Sequence, residues 1–443
     1  MTSSTSSLHT EQFSLRHDEL LRVLSETENL LIVQDLDGVC MGLVKDPLTR
    51  EIEPGYVEAA QQFAPHFYVL TNGEHIGQRG VNGILGKAFG DVAVVGDRGL
   101  FLPGLAAGGV QWQDRFGSVS HPGVSDQELE FLKQVPAKIQ AHIRQFFEIH
   151  PQVLPQSEIE RCVNAASLDN IASPTANLNV FYEILAEQPD IYGKLQRHVE
   201  LLMEQLLQEA AALGMADSFF VHYAPNLGRD EAGLEILRPA TATDSGTTDF
   251  QFMLRGAVKE AGVVAILNHY IFQRTGTYPL GEDFSARTAP RTHEELLALV
   301  QEHFDPKDLP LIVGVGDTVN SSVEIQEGKT TVRRGGSDRH FLWLVQDIGR
   351  HFDTGNIVVY VDSSGGEVLN RKALKVVDAE DNAVEPESTP LDAKTAEPLR
   401  VIEGPCDPQD TDEPLQLNVV FPGGHPQYCA VFQQAARQRT QLT

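Results

Sequence analysis

The chain has 443 residues, more than one simple core needs, so two or more domains are expected. Its formal net charge of −28 argues against nucleic acid and against anionic membranes as partners, because phosphate-rich surfaces call for basic patches. No apolar run approaches the ~20 residues of a membrane span, the Ser/Thr-rich start lacks the apolar core of a secretory signal, and the scattered Cys40, Cys162, Cys406 and Cys429 lack metal-ligand spacing and fit free thiols in a reducing cytoplasm.

In chain order, helical spacing over Phe13 to Ser25 precedes the apolar run Leu31-Ile32-Val33, which reads as a buried parallel strand ending at Gln34-Asp35-Leu36-Asp37-Gly38-Val39. A helix is expected over Gly55 to Phe63, a strand over Phe67 to Leu70 ending in Thr71-Asn72-Gly73, and a third short strand over Val92 to Val95. Strands alternating with helices predict a doubly wound α/β core. The texture then changes. Ser125 to Ile149 and Tyr192 to Leu213 are long helical patterns, and Phe219 to Tyr223 and Leu234 to Leu237 read as paired strands around a turn at Asn226-Leu227-Gly228. This middle stretch reads as an inserted α+β domain. The core pattern resumes with a helix over Gln251 to Phe272, a buried strand Leu309 to Gly316 ending at Asp317, and a strand over Asn356 to Val361. Val377 to Pro414 is acidic and Pro-rich and reads as a mobile surface loop, and Leu415 to Phe421 as a last strand. The expected division is core over 1–103, inserted domain over 104–250, and core again over 251–443.

The chemistry lies at the strand ends. Alternation puts Asp35 and Asp37 on one side of an extended segment, and Gly38 permits a sharp turn. Two carboxylates held together repel each other unless a cation lies between them, which points to a Mg²⁺ site beside an aspartate free to attack an electrophile. A solvated Asp-Gly turn is the plain alternative for that motif alone. Asp317 ends a later strand, Thr71 and Asn72 end another, and in a parallel sheet such ends share one edge. Hard oxygen ligands for Mg²⁺ and hydroxyl and amide donors for phosphoryl oxygens would then converge.

At these residues the chain resembles the haloacid dehalogenase superfamily of phosphatases. Asp35-Leu36-Asp37-Gly38-Val39 matches the first motif, Leu70-Thr71-Asn72-Gly73 the second, and Gly316-Asp317-Thr318-Val319-Asn320-Ser321 the fourth. The resemblance implies that Asp35 is the nucleophile, Asp37 the acid/base, Thr71 (with Asn72 and Gly73) a phosphoryl-binding element, and Asp35, Asp37 and Asp317 the metal-holding residues, with Mg²⁺ as cofactor. Two departures stand out. Ser321 takes the place of the motif's final aspartate, so Asn320 and Ser321 are expected to make only polar or water-mediated metal contacts. The third motif's lysine position reads Arg255-Gly256, with Lys259 one turn later, and the sequence does not choose between Arg255 and Lys259.

Longer strings resemble a narrower family, the glucosylglycerol-phosphate phosphatases. They are Val95-Gly96-Asp97-Arg98-Gly99, Gly256-Ala257-Val258-Lys259-Glu260-Ala261-Gly262, Leu267-Asn268-His269-Tyr270 and Arg333-Arg334-Gly335-Gly336-Ser337-Asp338-Arg339. This resemblance implies hydrolysis of 2-O-glucosylglycerol 3-phosphate to glucosylglycerol and phosphate in the cytoplasm during salt stress, and a partnership with the synthase that makes the phosphorylated glycoside. Other sugar-phosphate phosphatases (sucrose-, trehalose- or mannosylglycerate-phosphate) and a non-catalytic sugar-phosphate sensor are the alternatives. For substrate contact the Gly-flanked polar loop bearing Arg333, Arg334, Ser337, Asp338 and Arg339 is the leading candidate. Glu74, His75, Arg98, Asn226, Arg229 and Glu235 are weaker ones, and His269 reads as a core residue.

Overall fold

The computed structural model describes residues 7–45, 47–77, 79–229, 235–241, 244–326, 329–368, 371–385 and 398–442. It divides into two compact units. The first comprises Met1–Gly73, Asn82–Gly123 and Val258–Thr443, and the second Glu74–Val81 and Val124–Ala257.

The first unit is built on an eight-stranded sheet. Its strands are β1 (Leu30–Gln34), β2 (Phe67–Leu70), β3 (Gly104–Ala106), β4 (Gln111–Gln113), β5 (Val119–Ser120), β6 (Leu311–Gly316), β7 (Ile357–Val361) and β8 (Val419–Phe421). They lie in the order β8-β7-β6-β1-β2-β3-β4-β5. From β8 through β3 every pairing is parallel, and the last two strands run antiparallel. The chain lays β2 and β3 to one side of β1, then returns with β6 to β8 on the other. The switch point therefore falls beside β1, where open α/β sheets place their ligands. Every residue of β1, β2 and β7 is buried, as apolar runs covered on both faces require.

Helices α1 (His17–Glu26), α2 (Pro54–Gln62), α3 (Lys259–Thr275), α4 (His293–His303), α5 (Arg339–Phe352) and α6 (Gly424–Leu442) also belong to this unit. In α5 the buried Phe341, Leu342, Leu344, Val345 and Ile348 follow helical spacing, and they join a core cluster with Leu31, Val33, Ile312 and Val358. Proline at the start of α2 suits a first helical turn, whose N–H groups have no partner within the helix.

In the second unit, Ser167–Leu168, Thr175–Asn177, Asp249–Leu254 and Phe219–Ala224 form a four-stranded antiparallel sheet in that order. The helices Asp126–Ile149 and Pro189–Ala212 pack against each other, and the first opens with a reciprocal Ser125/Glu128 capping box. Phe131 stacks on Phe219 and contacts Phe252, joining helix to sheet.

Several sequence expectations change. Val92–Asp97 is a short helix rather than a strand, because the Asp91 side chain accepts from Ala93 N and caps it. The third parallel strand is β3. Residues 104–123 thus belong to the core sheet, so the expected boundary at 103 lies about 20 residues too early. Asp249–Leu254 is a strand of the second unit, and the helix expected from Gln251 begins only at Lys259, after a turn in which Gly256 has φ +87°. Asn226–Arg229 is a strand paired with Glu235–Leu237, where a turn was expected. The expected mobile loop is partly ordered: Ala383–Val384 and Arg400–Glu403 within it form a small sheet with Lys375–Val377, which ends where the loop was expected to begin, while 386–397 and Leu234 lie outside the described residues. Among the described residues no helix is long and apolar enough to cross a membrane.

Candidate active site

Three neighbouring strand ends build the site. Asp35 follows β1, Asp317 follows β6 and Thr71 follows β2. Register aligns the first two: Gln34 pairs with Val315, and Asp35 N donates to Val315 O at 3.0 Å. After Asp35 the chain turns at Gly38 with φ +81°, and a Cβ there would fall 2.2 Å from Asp317 Oδ2. Glycine is required both by the backbone and by this close approach. Thr71 is buried and its Oγ1 accepts from Gly73 N at 3.2 Å. A Cβ on Gly73 would lie 3.6 Å from Thr71 Oγ1 and 3.9 Å from Asp37 Oδ2, so these groups are gathered together, while Asn72 is exposed. Asp37 is half-buried and its Oδ1 is paired with Arg50 Nε at 3.0 Å.

Lys259, the first residue of α3, projects into the carboxylates. Its Nζ stands 3.0 Å from Asp35 Oδ2 and 2.7 Å from Asp338 Oδ1. Arg255 belongs to the second unit, where its Nε donates to Phe219 O. Of the two cations left open by the sequence, Lys259 is therefore the one placed on Asp35. Asp338, just before α5, is fully buried. Its Oδ2 accepts from Asp317 N at 2.9 Å and Thr318 N at 3.0 Å, which orients the turn after β6.

Asp35, Asp317 and Asp338 offer oxygens within 4.8 Å of one another. Ser321 and Asn320 do not join them. They open the exposed hairpin Asn320–Gln326/Lys329–Gly335, where Ser321 Oγ accepts from Asp407 N and Asn320 O accepts from Arg339 Nη1. The expected substrate loop is likewise engaged otherwise. Arg334 pairs bidentately with Asp410, the buried Arg339 pairs with Glu413, and Arg333 faces Glu324 at 3.6 Å on the exposed hairpin. Ser337 is an exposed turn residue, and only Asp338 of that loop reaches the carboxylate cluster.

Electrostatics follow from this crowding. Burial pushes the Asp35 and Asp317 carboxyls well above the usual carboxylate range, and the neighbouring Asp338 adds to it in both cases. For Lys259 burial opposes the charge, but Asp338 and Asp35 outweigh it and the ammonium is held more firmly than usual. Two buried oxygens, Asp35 Oδ1 and Asp317 Oδ2, have no hydrogen-bond partner among the described residues. Unpaired carboxylate oxygens in a crowded acidic cluster are the donor set a hard divalent cation takes, so these residues fit Mg²⁺.

The weaker candidates are placed as well. Glu74 is buried in the second unit and accepts from the backbone N–H of Ile171, Ala172 and Ser173, an anchoring arrangement. Glu235 accepts from Tyr223 N and from Asn226. His269 packs on Trp112 at 4.6 Å. Sequence reasoning missed Arg50 and Arg371. The latter puts Nε 3.8 Å from Asp317 Oδ2 and donates from Nη2 to Thr318 Oγ1 at 3.2 Å. Neither adjoins a strand end, since β1 ends at Gln34 and β7 at Val361, so no local sequence signal marks them.

The model of a family described as glucosylglycerol-phosphate phosphatase matches residues 29–436. A curated glucosylglycerol-phosphate phosphatase from Synechocystis sp. (strain ATCC 27184 / PCC 6803 / Kazusa) is 57% identical over 432 residues, covering 98% of each chain. Among solved structures, the C-terminal domain of Candida albicans trehalose-6-phosphate phosphatase is 12% identical, with a TM-score of 0.38, over 79% of this chain and 88% of that one. The C-terminal domain of the Candida albicans trehalose synthase regulatory protein is 11% identical, with a TM-score of 0.38, over 81% of this chain and 92% of that one.

Proposed function

The chain belongs to the glucosylglycerol-phosphate phosphatase family, and we propose that it hydrolyses 2-O-glucosylglycerol 3-phosphate through an aspartyl-phosphate on Asp35. The observation that carries the substrate is the 57% identity over 98% of both chains, and the chemistry rests on the buried Asp35–Lys259–Asp338 arrangement.

In this reading Asp35 Oδ2, held by Lys259, attacks phosphorus and the ester P–O bond breaks. Asp37 gives its proton to the departing glycerol oxygen. Water then attacks the aspartyl-phosphate, Asp37 takes a proton from it, and orthophosphate leaves with Asp35 restored. Thr71 Oγ1, near Gly73 and Asp37, donates to a phosphoryl oxygen, and Lys259 compensates the charge that builds on the transferred group. Asp338 is a positioning residue, holding Lys259 and the turn that carries Asp317. Asp35 and Asp317 would hold Mg²⁺, which when bound supplies neutralisation of phosphoryl charge.

The proposal extends to a cytoplasmic setting, supported by four free cysteines, and to supply of the substrate by the synthase that joins glucose to glycerol phosphate. The test is phosphate release from a panel. Glucosylglycerol phosphate should be turned over far faster than sucrose, trehalose or mannosylglycerate phosphates, and equal rates would sink the substrate assignment.

A further inference from the structure

We propose that Arg50 and Arg371 form a guanidinium pair that admits the substrate's phosphate dianion to the site, each resting on a carboxylate that the reaction uses. The inference deepens the phosphatase reading and rests on it.

Charge makes such a pair necessary. Asp35, Asp37, Asp317 and Asp338 bring four carboxylates to one sheet edge, and Lys259 is the cation buried among them. With Asp37 carrying the proton it gives the leaving group, Lys259 and a divalent metal would only neutralise the three remaining carboxylates, and the site would meet a dianion with no charge to spare. Two guanidiniums make that site net positive. At contact distances in a partly desolvated site this gain of charge matters more than any single hydrogen bond.

Geometry identifies the pair. Arg50 holds Asp37 Oδ1 through Nε at 3.0 Å, and both side chains are partly open to solvent. Arg371 approaches Asp317 Oδ2 only to 3.8 Å, and its buried Nε has no hydrogen-bond partner among the described residues. A buried guanidinium N–H left unmade is costly in a resting structure and is a donor available to an incoming oxyanion. The segments after β1 and β7 from which the two residues come are hydrogen-bonded at Leu43, Lys45 and Glu367, with Glu367 N donating to Leu43 O at 2.8 Å and Lys45 N to Glu367 Oε2 at 2.9 Å. Arginine's planar fork suits a phosphoryl group better than a point charge does. When the dianion arrives, Arg50 exchanges Asp37 for a phosphoryl oxygen, which frees Asp37 to serve the leaving group. Arg371 likewise turns its unused Nε to the anion and leaves Asp317 to the metal.

The test is inorganic phosphate binding by calorimetry, with and without Mg²⁺, beside steady-state kinetics. Arg50→Gln and Arg371→Gln should each weaken phosphate binding and raise KM about tenfold to a hundredfold, with a smaller fall in kcat. Lysine at either place should restore part of the loss, and these lysine variants carry the test if a glutamine variant fails to fold. Glutamine variants that fold and melt as wild type yet bind phosphate with wild-type affinity would overturn the proposal. Wild-type protein that binds phosphate through both arginines but ignores glucosylglycerol phosphate would remove the substrate assignment and leave the arginine pair supported.

Discussion

Lys259 Nζ and Asp338 Oδ1 lie 2.7 Å apart in a fully buried ion pair, and the same ammonium reaches Asp35 at 3.0 Å. One cation thus ties the start of α3 to a residue 79 positions away and to the proposed nucleophile. Lys259→Met should cost about a hundredfold to a thousandfold in kcat. Removing one partner of a buried pair should also lower stability by about 3–5 kcal/mol in urea unfolding. Arg255→Gln should cost far less in kcat; the reverse ranking would return the cation's role to Arg255.

Asp35→Asn should release no detectable phosphate while keeping the fold. The melting temperature should be unchanged or raised, because burial already disfavours a charged carboxylate there by more than Lys259 supports it, and Asp338 and Asp37 add like-charge crowding that the amide relieves. Turnover retained by a folded variant would remove Asp35 from the nucleophile role.

Chelation of divalent metal should abolish turnover and lower the melting temperature, and Mg²⁺ should restore both. Asp317→Asn should lose this response in the thermal scan. Ser321→Ala should keep it, because Ser321 Oγ accepts from Asp407 N on the hairpin. A Ser321→Ala variant that no longer gains stability from Mg²⁺ would contradict the assignment.

Gly38→Ala should combine a strained φ of +81° with a Cβ 2.2 Å from Asp317 Oδ2. The backbone cost is about 1–3 kcal/mol, and the displaced carboxylate should lower kcat/KM by about a hundredfold. Thermal unfolding and kinetics on the same preparation separate the two effects.

His293 sets an alkaline limit on stability. Its ring lies between Asp347 Oδ2 at 3.0 Å and Glu260 Oε1 at 3.4 Å and stacks on Trp343. Burial opposes its charge, but the two carboxylates prevail and raise its pKa to about 9 from the ordinary histidine value of 6.5. Because the folded value lies above the unfolded one, the stabilisation is complete below pH 6.5 and is lost as pH rises through about 9. It is on the order of 2 kcal/mol. Urea unfolding at pH 6 and pH 10 should show that loss in the wild type, and His293→Gln should flatten it.

What was legible in the chain was what is local. A buried parallel strand is an apolar run with polar residues where it meets the ligand-binding edge, so β1, β2 and β6 and their Asp35, Thr71 and Asp317 could be read directly. Val92 to Val95 satisfies a strand as well as a helix with its four apolar residues, and the Asp91 cap decides for the helix. The strand Asp249–Leu254 merges with the following helix in the sequence pattern because the intervening turn, at Gly256, is short.

The sequence by itself determined a parallel-sheet α/β core with acids and a threonine at adjoining strand ends. The longer strings that mark its family were also there to read. Only the tertiary structure decided that Lys259 meets Asp35, that Asp338 completes the cluster across a 21-residue separation from Asp317, and that Arg334 and Arg339 brace the acidic segment. The hairpin between Asp317 and Asp338 breaks the spacing by which a motif is recognised. Which carboxylate a cation meets depends on distances that chain folding sets, and residue type alone does not contain them.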